Sequence, residues 1–234
     1  MVEQRVAVVT AGGKGMGGAI ARALAALDYA LVLMSPGGSS EALADELGGI
    51  GVNGSVTSPK DLERLIAAAM DAHGRMDAVA NNTGFPPKGP LLEIPDEDWH
   101  AGLDMVLLNV VRMTRLVTPI MEAQGGGAIV NISTYAAVEP SPAYPVSATF
   151  RAGLSAYTKL YADQYAPSGI RMNNILPGFI DTHGSDDAMA ETIPARRYGT
   201  PDEIGETAAF LLSDGANYIT GQNLRVDGGL TRSV

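Results

Sequence analysis

A glycine-rich segment near the start of the chain has the residue types and spacing of a phosphate-binding turn. Residues 10–18 read Thr-Ala-Gly-Gly-Lys-Gly-Met-Gly-Gly, between an apolar β-branched run and a helical pattern. Glycines let the backbone approach a pyrophosphate closely, and the amino terminus of the following helix supplies free N–H groups and a positive dipole. The segment therefore predicts a dinucleotide site. The alternative is a plain tight turn packed against a neighbouring strand.

The end of the second predicted strand bears on which dinucleotide binds. An acidic residue that binds the adenosine ribose is expected about 20 residues beyond the turn. Ser35 occupies that place, and Pro-Gly-Gly-Ser-Ser follows it. Small hydroxyls, backbone N–H groups and Lys14 suit a 2′-phosphate better than a ribose hydroxyl. We therefore expect NADP to be the cofactor, with NAD as the alternative. If Lys14 does not contact a phosphate, it is a solvated surface cation.

The composition excludes several other chemistries. The chain has no cysteine, which excludes disulfides, thiolate catalysis and cysteine-ligated metal. Its three histidines, at 73, 100 and 183, lack the spacing of metal ligands. The formal net charge of −10 disfavours nucleic acid and anionic membranes, and no apolar run approaches the roughly 20 residues that span a bilayer. We expect a cytoplasmic protein with a small-molecule substrate and no nucleic-acid, membrane or metal partner.

The elements that position the glycine-rich turn alternate between short apolar strands and helical patterns. The predicted strands are residues 5–9, 30–34, 50–53, 78–80, 127–132, 171–176 and 223–226. The predicted helices are residues 19–27, 41–47, 61–73, 99–124, 147–166 and 201–212. This alternation predicts an α/β fold, a Rossmann-type doubly wound parallel sheet in three layers. Since no linker or repeat is evident, we expect one domain over residues 1–234.

Several segments together match one family pattern. Residues 10–17 match TGxxxGxG with Ala11 in place of the first glycine, and residues 81–84, Asn-Asn-Thr-Gly, match NNAG. Residues 170–182 match IRVN…PG…T, while residues 197–204 and 218–229 match a carboxyl-terminal signature. The chain thus resembles the short-chain dehydrogenase/reductase family over essentially its whole length, and most closely in style the 3-oxoacyl-acyl-carrier-protein reductases.

The resemblance implies a set of residues that bind NAD(P). The glycine-rich turn would hold the pyrophosphate, and a pair of residues after the third strand would contact the adenine. The Asn-Asn-Thr-Gly segment would flank the adenosine ribose, and the loop after the sixth strand would hold the nicotinamide amide. The implied residues are Gly12, Lys14, Gly15, Met16, Gly17, Ser35, Ser55, Val56, Asn82, Gly84, Arg151, Pro177, Gly178, Ile180 and Thr182. The family usually has an acid or amide at the place of Ser55. The Asn-Asn-Thr-Gly segment is alternatively, or in addition, a turn that steadies the central sheet.

The same resemblance implies where the family's catalytic Ser, Tyr, Lys and Asn would stand. The flanking matches put the lysine position at Arg151 and the tyrosine position at Ser147, with the serine position thirteen residues earlier at Thr134. The asparagine position is Val106, and Asn109 follows three residues later. We therefore expect a degenerate tetrad in which only Thr134 is a conservative change.

These replacements change the acid–base chemistry. A serine hydroxyl is a far weaker acid than a tyrosine near pKa ~10. Arginine stays charged and cannot relay a proton, although it can hold ribose hydroxyls or stabilise an alkoxide. Losing a general acid costs roughly 10²–10⁴-fold in rate. Tyr144, three residues before Ser147 and followed by Pro145, is the best replacement acid; the alternative is an aromatic residue of the rim or core.

Three functions remain open from the sequence. The first is an NAD(P)-dependent oxidoreductase that transfers hydride between a carbonyl and an alcohol, with Thr134, Ser147 and Arg151 polarising the carbonyl. The second is a nucleotide-binding pseudoenzyme that serves as a sensor or assembly partner, and the third is a structural protein without a ligand. The resemblance implies a homodimer or homotetramer. Residues 183–193 predict a short acidic lid that disfavours an anionic substrate, and His183 within it is an acid–base candidate or a plain loop residue.

Overall fold

Seven strands and eight α-helices alternate along the part of the chain that the computed structural model describes, residues 4–182 and 184–233. The strands are β1 Val6–Thr10, β2 Ala30–Ser35, β3 Ile50–Asn53, β4 Ala78–Asn81, β5 Gly127–Ile132, β6 Ile170–Pro177 and β7 Asn223–Val226. The helices are α1 Gly15–Ala26, α2 Ser39–Leu47, α3 Pro59–His73, α4 Asp96–Leu103, α5 Asn109–Ala123, α6 Pro145–Tyr165, α7 Asp187–Ala190 and α8 Pro201–Leu212.

The seven strands form one parallel sheet in the order β3-β2-β1-β4-β5-β6-β7. The strand order reverses between β1 and β4, so the connections leave their carboxyl ends in opposite directions. Such a reversal opens a crevice at the carboxyl edge of a doubly wound sheet. The predicted three-layer Rossmann-type architecture is confirmed, and the glycine-rich turn lies at this crevice because it follows β1.

Two apolar clusters cover the two faces of the sheet. One buries residues of α1, α2 and α8 against the sheet, with Ile20, Leu43 and Ile204 among them. The other buries residues of α3, α5 and α6, with Leu65 and Met113 among them. The near-continuous apolar strands are typical of a parallel sheet that is covered on both faces. No helix in residues 4–182 and 184–233 is long and apolar enough to cross a membrane.

Several helix boundaries differ from the sequence predictions; α3 and α6, for example, each begin two residues earlier. Helix α1 begins at Gly15, inside the glycine-rich turn, rather than at residue 19. Helix α2 begins at Ser39, with Gly38 at the N-cap position, rather than at residue 41. The predicted helix over residues 99–124 is instead two α-helices joined by a π-helical turn, Asp104–Leu108. Sequence periodicity does not reveal such a turn, because one inserted residue leaves the apolar pattern almost intact.

A row of four asparagine side chains crosses the sheet. Asn81, Asn131, Asn174 and Asn223 stand opposite one another on β4, β5, β6 and β7. Each Nδ2 donates to the next Oδ1 at 2.8–2.9 Å. Thr158 of α6 joins the row by donating to Asn174 at 2.9 Å. Buried amides of this kind are stable only when they are hydrogen-bonded, so the row ties the register of four strands to the position of α6.

Glu203 is expected to support the fold through its charge. It accepts from the Thr200 backbone N–H at 2.7 Å in a capping box and pairs with Arg197 at 2.6 Å. The Arg197 side chain first, and the Thr200 N–H second, lower the pKa of Glu203 to about 2. A carboxyl group whose pKa is lowered by folding stabilises the fold at pH values above its ordinary pKa. This stabilisation is lost as the pH falls toward the lowered pKa.

We therefore expect Glu203→Gln to be less stable than the parent protein at pH 7, with the difference shrinking between pH 4.5 and pH 2. Urea denaturation across this pH range measures the difference. Glu206→Gln, on an exposed neighbour in the same helix, is the matched control. A difference that stays constant with pH would contradict the assignment.

Candidate functional site

The glycine-rich turn is closely packed. The Gly12 N–H donates to the Met34 carbonyl at 3.1 Å, which fixes the turn against β2. A Cβ on Gly17 would lie 2.1 Å from the Ala11 carbonyl oxygen, and one on Gly13 would lie 2.3 Å from Ser39 Oγ. The Cβ on Gly13 would also lie 2.5 Å from the Ser39 carbonyl carbon, and real Cβ atoms do not approach backbone atoms this closely, so the turn requires glycine at these two positions.

The amino terminus of α1 is open to an anion. Lys14 occupies the N-cap position but makes no side-chain capping hydrogen bond, and the first turn carries no acidic residue. The free N–H groups and the helix dipole therefore face the crevice without a competing side chain. Lys14 and Gly15 are exposed, while Met16 packs partly against the core.

Ala11 adopts a backbone conformation that suits glycine. Its φ is +44°, and it stands where the family pattern has a glycine. A left-handed conformation costs an L-residue roughly 1–2 kcal/mol. Replacing Ala11 with glycine is therefore expected to raise the free energy of unfolding by about 1 kcal/mol, and the Tm by about 2–4 °C.

Differential scanning calorimetry measures the effect of Ala11→Gly. The control is Ala67→Gly, at an exposed position within α3, which is expected to lower stability by about 1 kcal/mol. A loss of stability in Ala11→Gly comparable to that of the control would show that the strain is absent.

Two distant segments meet the glycine-rich turn. Thr10 Oγ1 donates to the Asn82 carbonyl at 2.8 Å and accepts from the Asn82 N–H at 2.9 Å. The Asn82 side chain also donates to the Ala11 carbonyl at 3.3 Å. A Cβ on Gly15 would lie 3.5 Å from Thr182 Cγ2, so the loop after β6 reaches the start of α1. Asn82 thus braces the junction of β1 and β4 as well as lining the crevice.

The predicted 2′-phosphate region is partly occupied by its own hydrogen bonds. Ser35 Oγ accepts from the Ser40 N–H at 3.1 Å and shares a hydrogen bond with Ser39 Oγ at 2.9 Å. Ser35 itself is buried, whereas the following Gly37 and Gly38 have φ of +77° and +83°. The structure thus places Ser35 as an organiser of the loop. The contacts left for a phosphate come from Ser39, the loop backbone and Lys14.

The predicted adenine pair follows β3. The Ser55 N–H donates to Asp61 Oδ2 at 2.9 Å, and Ser55 Oγ bonds Thr57 Oγ1 at 2.8 Å. The Ser55 backbone bond, followed by the Arg64 side chain, lowers the pKa of Asp61. Val56 packs partly against the core cluster of α3 and α5. A carboxylate therefore lies beside Ser55, supplied by α3.

The predicted nicotinamide loop is held by its backbone. The Gly178 N–H donates to the Val226 carbonyl at 3.0 Å, and a Cβ on Gly178 would lie 2.8 Å from Asp227 Cα. Ile180 forms an isolated bridge with Gly199, and the Thr182 N–H donates to the Ile180 carbonyl at 2.9 Å. Pro177 ends β6. The next residue, His183, lies outside the described residues.

The predicted catalytic positions lie at the carboxyl end of β5 and on the first turns of α6. Thr134 caps a short 3₁₀ helix, with Oγ1 accepting from the Ala136 N–H at 3.4 Å. Ser147 is half-buried in the first turn of α6, and Val106 is buried in the π-helical turn. Helix α6 packs against this π-helical turn, since a Cβ on Gly153 would lie 3.8 Å from Leu107 Cδ2.

Arg151 is a buried cation. Its side chain is 7% exposed, and Nη1 donates to the Ile132 carbonyl at the end of β5. In residues 4–182 and 184–233 no carboxylate forms an ion pair with it, and burial lowers the pKa of Arg151 to about 10. Buried charges are normally paired. Because the Arg151 guanidinium has no carboxylate partner among the described residues, its remaining N–H groups can donate to a ligand.

Tyr144 occupies the N-cap position of α6. Its ring is half-buried, and Lys88 Nζ of the loop between β4 and α4 lies 4.9 Å from the ring centroid. Tyr157 and Tyr161 lie further along α6, where their hydroxyls bond Thr114 and Thr118 of α5 at 2.6 Å. Burial raises the pKa of both, that of Tyr161 to about 12, so neither is placed to act as an acid in the crevice.

Three polar side-chain atoms are buried without a hydrogen-bond partner in the described residues, and of their three residues only Ser133 was not singled out by the sequence: Thr83 Oγ1, Asn109 Oδ1 and Ser133 Oγ. They follow β4, begin α5 and follow β5. The carboxyl ends of β4 and β5 are neighbours, so Thr83 and Ser133 lie at the same edge of the sheet as the Ile132 carbonyl that Arg151 bonds. Only the tertiary contacts distinguish them from satisfied core groups.

Comparisons with known proteins agree with this geometry. Residues 10–231 match the family model described as Enoyl-(Acyl carrier protein) reductase. The chain is 34% identical over 97% of its length to the 3-oxoacyl-[acyl-carrier-protein] reductase of Synechocystis sp., of which 96% is covered. It is 36% identical over 96% of its length to the human dehydrogenase/reductase SDR family member 4, of which 87% is covered.

A solved structure extends the likeness to three dimensions. L-sorbose reductase from Gluconobacter frateurii, complexed with NADPH and L-sorbose, is 27% identical, with a TM-score of 0.92 over 100% of this chain and 98% of that one. The match to the family model and the identity to these relatives lead to one conclusion. The chain belongs to the short-chain dehydrogenase/reductase family of oxidoreductases.

Proposed function

We propose that this protein is an NADP(H)-dependent oxidoreductase that transfers hydride between the dinucleotide and a small carbonyl or alcohol substrate. The meeting of the uncapped α1 amino terminus with Asn82 and Thr182 carries the proposal, because it brings free backbone N–H groups, a side-chain amide and a hydroxyl from three separate segments together. The names of the relatives, all reductases or dehydrogenases, support turnover over a pseudoenzyme that only binds a nucleotide.

The residues present fit a dinucleotide. Gly12, Gly15 and Gly17 bring the backbone close to the pyrophosphate, and Lys14 and Met16 flank it. Ser55 and Val56 lie toward the adenine, and Asn82 and Gly84 toward the adenosine ribose. The nicotinamide amide would be bound by Pro177, Gly178, Ile180 and Thr182. When bound, the reduced nicotinamide supplies the hydride.

NADP is the preferred form, with NAD as the alternative. The loop after β2 has no carboxylate to repel a 2′-phosphate, and Ser39, backbone N–H groups and the exposed Lys14 can contact one. The neighbouring reductase was solved with NADPH, which supports the same preference.

The catalytic groups are proposed to be non-standard. Arg151 and Ser147 stand in place of the family's lysine and tyrosine, and Thr134 in place of its serine. Arg151 holds the nicotinamide ribose and, with Thr134 and Ser147, polarises the substrate oxygen. Tyr144, at the start of the same helix, supplies the proton to the substrate.

Fluorescence titration with NADPH and NADH, followed by a panel of ketones, aldehydes and enones, tests the function. We expect NADPH to bind more tightly than NADH and at least one carbonyl compound to be reduced. Tyr144→Phe should lower kcat by about 10²–10⁴-fold without changing NADPH affinity. Binding without turnover on any substrate would support the pseudoenzyme instead.

Residues 1–234 are further proposed to form one domain that assembles as a cytoplasmic homodimer or homotetramer through α5 and α6. On α6, Leu160 is 69% exposed, which leaves an apolar side chain for such a contact. Light scattering tests the assembly, and a monomer mass would refute it.

A further inference from the structure

One ammonium group lies against two aromatic rings at the carboxyl edge of the sheet. Lys88 Nζ is 5.4 Å from the centroid of the Phe85 ring and 4.9 Å from the centroid of the Tyr144 ring. Both distances lie within the roughly 6 Å over which the face of an aromatic ring attracts a cation. Phe85 and Tyr144 therefore form a ring pair that shares one position for a positively charged nitrogen.

The ring pair joins the loops that leave two neighbouring strands. Phe85 stands three residues after Asn82, which lines the crevice beyond β4. Tyr144 lies close to Tyr135, the residue that follows Thr134 beyond β5. Burial first, and the Tyr144 phenol second, raise the pKa of Tyr135. Since β4 and β5 pair in the sheet, the ring pair lies beside the residues proposed to hold the ribose and the substrate oxygen.

Lys88 is a weakly held occupant of this position. It is exposed, and within residues 4–182 and 184–233 no carboxylate forms an ion pair with it. Its ammonium is carried on a flexible four-carbon stem, so it can leave the rings for solvent without a movement of the backbone. A ligand that brings its own cation and makes further contacts in the crevice can therefore replace Lys88 at the ring pair.

The charges around the ring pair favour a positively charged ligand. Helix α4, which the loop carrying Phe85 leads into, begins with the acidic residues 96–98. Asp186 and Asp187 are exposed on the lid segment after β6. Together with the formal net charge of −10, these carboxylates attract cations and repel anions. The buried Arg151 has the opposite sign, so it suits the oxygen end of a ligand rather than a cationic end.

We propose that the substrate is a carbonyl compound that also carries an ammonium group, with that group replacing Lys88 at Phe85 and Tyr144 while the carbonyl oxygen lies at Arg151. This inference rests on the proposed function and specifies its substrate class. A quaternary ammonium suits the ring pair best, because it has no N–H group that must stay hydrogen-bonded to water when it contacts the ring faces.

Helix α6 sets the spacing between the two ends of the substrate. Tyr144 precedes Ser147 by three residues and Arg151 by seven, which is about 4.5 Å and about 10 Å of helix rise. A cation at the ring pair and an oxygen held between Ser147 and Arg151 are therefore several bonds apart. We expect a single methylene group between the nitrogen and the carbonyl carbon to be too short to reach both.

A matched series of ketones tests the preference for a cation. Methyl ketones with a terminal trimethylammonium group, separated from the carbonyl by one, three or five methylene groups, are compared with neutral ketones in which carbon replaces the nitrogen. At low ionic strength we expect kcat/KM with NADPH to favour the two longer cationic ketones by about tenfold. Added salt should reduce this preference. Equal kcat/KM for the cationic and neutral partners would overturn the proposal.

Variants of the ring pair show whether these rings carry the preference. Phe85→Leu and Tyr144→Leu should each lower the ratio of cationic to neutral kcat/KM by about threefold or more. The ratio cancels any loss of proton transfer in Tyr144→Leu, because that loss affects both partners. Lys88→Met should raise the ratio by removing the competing ammonium, whereas Lys60→Met, at an exposed position on α3, should leave it unchanged. A ratio that neither ring substitution alters, or that is equal in Lys88→Met and Lys60→Met, would contradict the assignment.

Isothermal titration calorimetry tests the cation position without turnover. The longest cationic ketone is titrated into the protein loaded with NADP⁺, which has no hydride to donate. We expect its neutral partner to bind about tenfold more weakly, and Phe85→Leu to lose about threefold in affinity for the cationic ketone. Equal affinities for the two ketones would overturn the inference. If NADPH does not bind, or no ketone is reduced, the proposed function fails instead, while titration of the protein alone still measures the cation position.

Discussion

Replacing Arg151 with methionine is expected to lower kcat by about 10²–10³-fold, the usual effect of removing one oxyanion donor. The same change should leave the folded state as stable as before, or more stable by about 2 kcal/mol. Arg151 is 7% exposed, and its guanidinium is bonded only to the Ile132 carbonyl within the described residues. Methionine fills a similar volume without burying a charge. We therefore expect kcat to fall while the free energy of unfolding stays the same or rises.

The pH dependence of this stability difference has a definite sign. Burial lowers the pKa of Arg151 from 12.5 to about 10, so the folded state releases that proton more readily than the unfolded chain. The destabilising effect of the charge is therefore complete below pH 10 and diminishes as the pH rises toward 12.5. The advantage of Arg151→Met should be constant at neutral pH and should shrink above pH 10.

Guanidinium chloride denaturation and steady-state kinetics measure the two effects in the same preparations. Lys159→Met removes an exposed cation from the same helix and should change neither quantity appreciably. A variant at 151 that is several kcal/mol less stable would indicate a structural role for the arginine. Unchanged kcat would show that the substrate oxygen binds elsewhere.

Replacing Gly17 with alanine is expected to weaken dinucleotide binding by at least about 100-fold, or roughly 2.7 kcal/mol. The new Cβ would lie 2.1 Å from the Ala11 carbonyl oxygen and 2.8 Å from Asn82 Nδ2. Both neighbours are held, Ala11 in a left-handed conformation and Asn82 by its hydrogen bonds to Thr10. The turn must therefore shift away from α1, which removes the surface that contacts the pyrophosphate.

Fluorescence titration with NADPH measures the loss. Gly153→Ala is the matched control, since its Cβ would make only an ordinary contact with Leu107 at 3.8 Å. This control should gain up to about 1 kcal/mol of helix stability and keep its affinity. Equal affinity in Gly17→Ala and the parent would place the pyrophosphate away from this turn. Urea denaturation should show a smaller loss for Gly17→Ala, about 1–3 kcal/mol from the steric shift.

The sequence by itself determined the strands, the main helices and the glycine-rich turn. Each of these features depends on a local pattern, because an apolar run of five residues or a glycine at a given spacing favours a particular conformation of its own backbone. All seven predicted strands are present with their boundaries within a residue or two. The helix boundaries were less predictable, because the π-helical turn at Asp104–Leu108 leaves the apolar periodicity almost unchanged.

Only the tertiary structure decided which polar groups meet and which remain unpaired. Thr182 lies beside Gly15, and Asn82 bonds Thr10, because the sheet order brings β1, β4 and the loop after β6 together. Whether Arg151 has a carboxylate partner, and whether Ser133 has a hydrogen bond, depends on residues far away in sequence. Whether a buried polar group is hydrogen-bonded depends on its neighbours in space, so no local pattern could reveal that Arg151 lacks a carboxylate partner among the described residues.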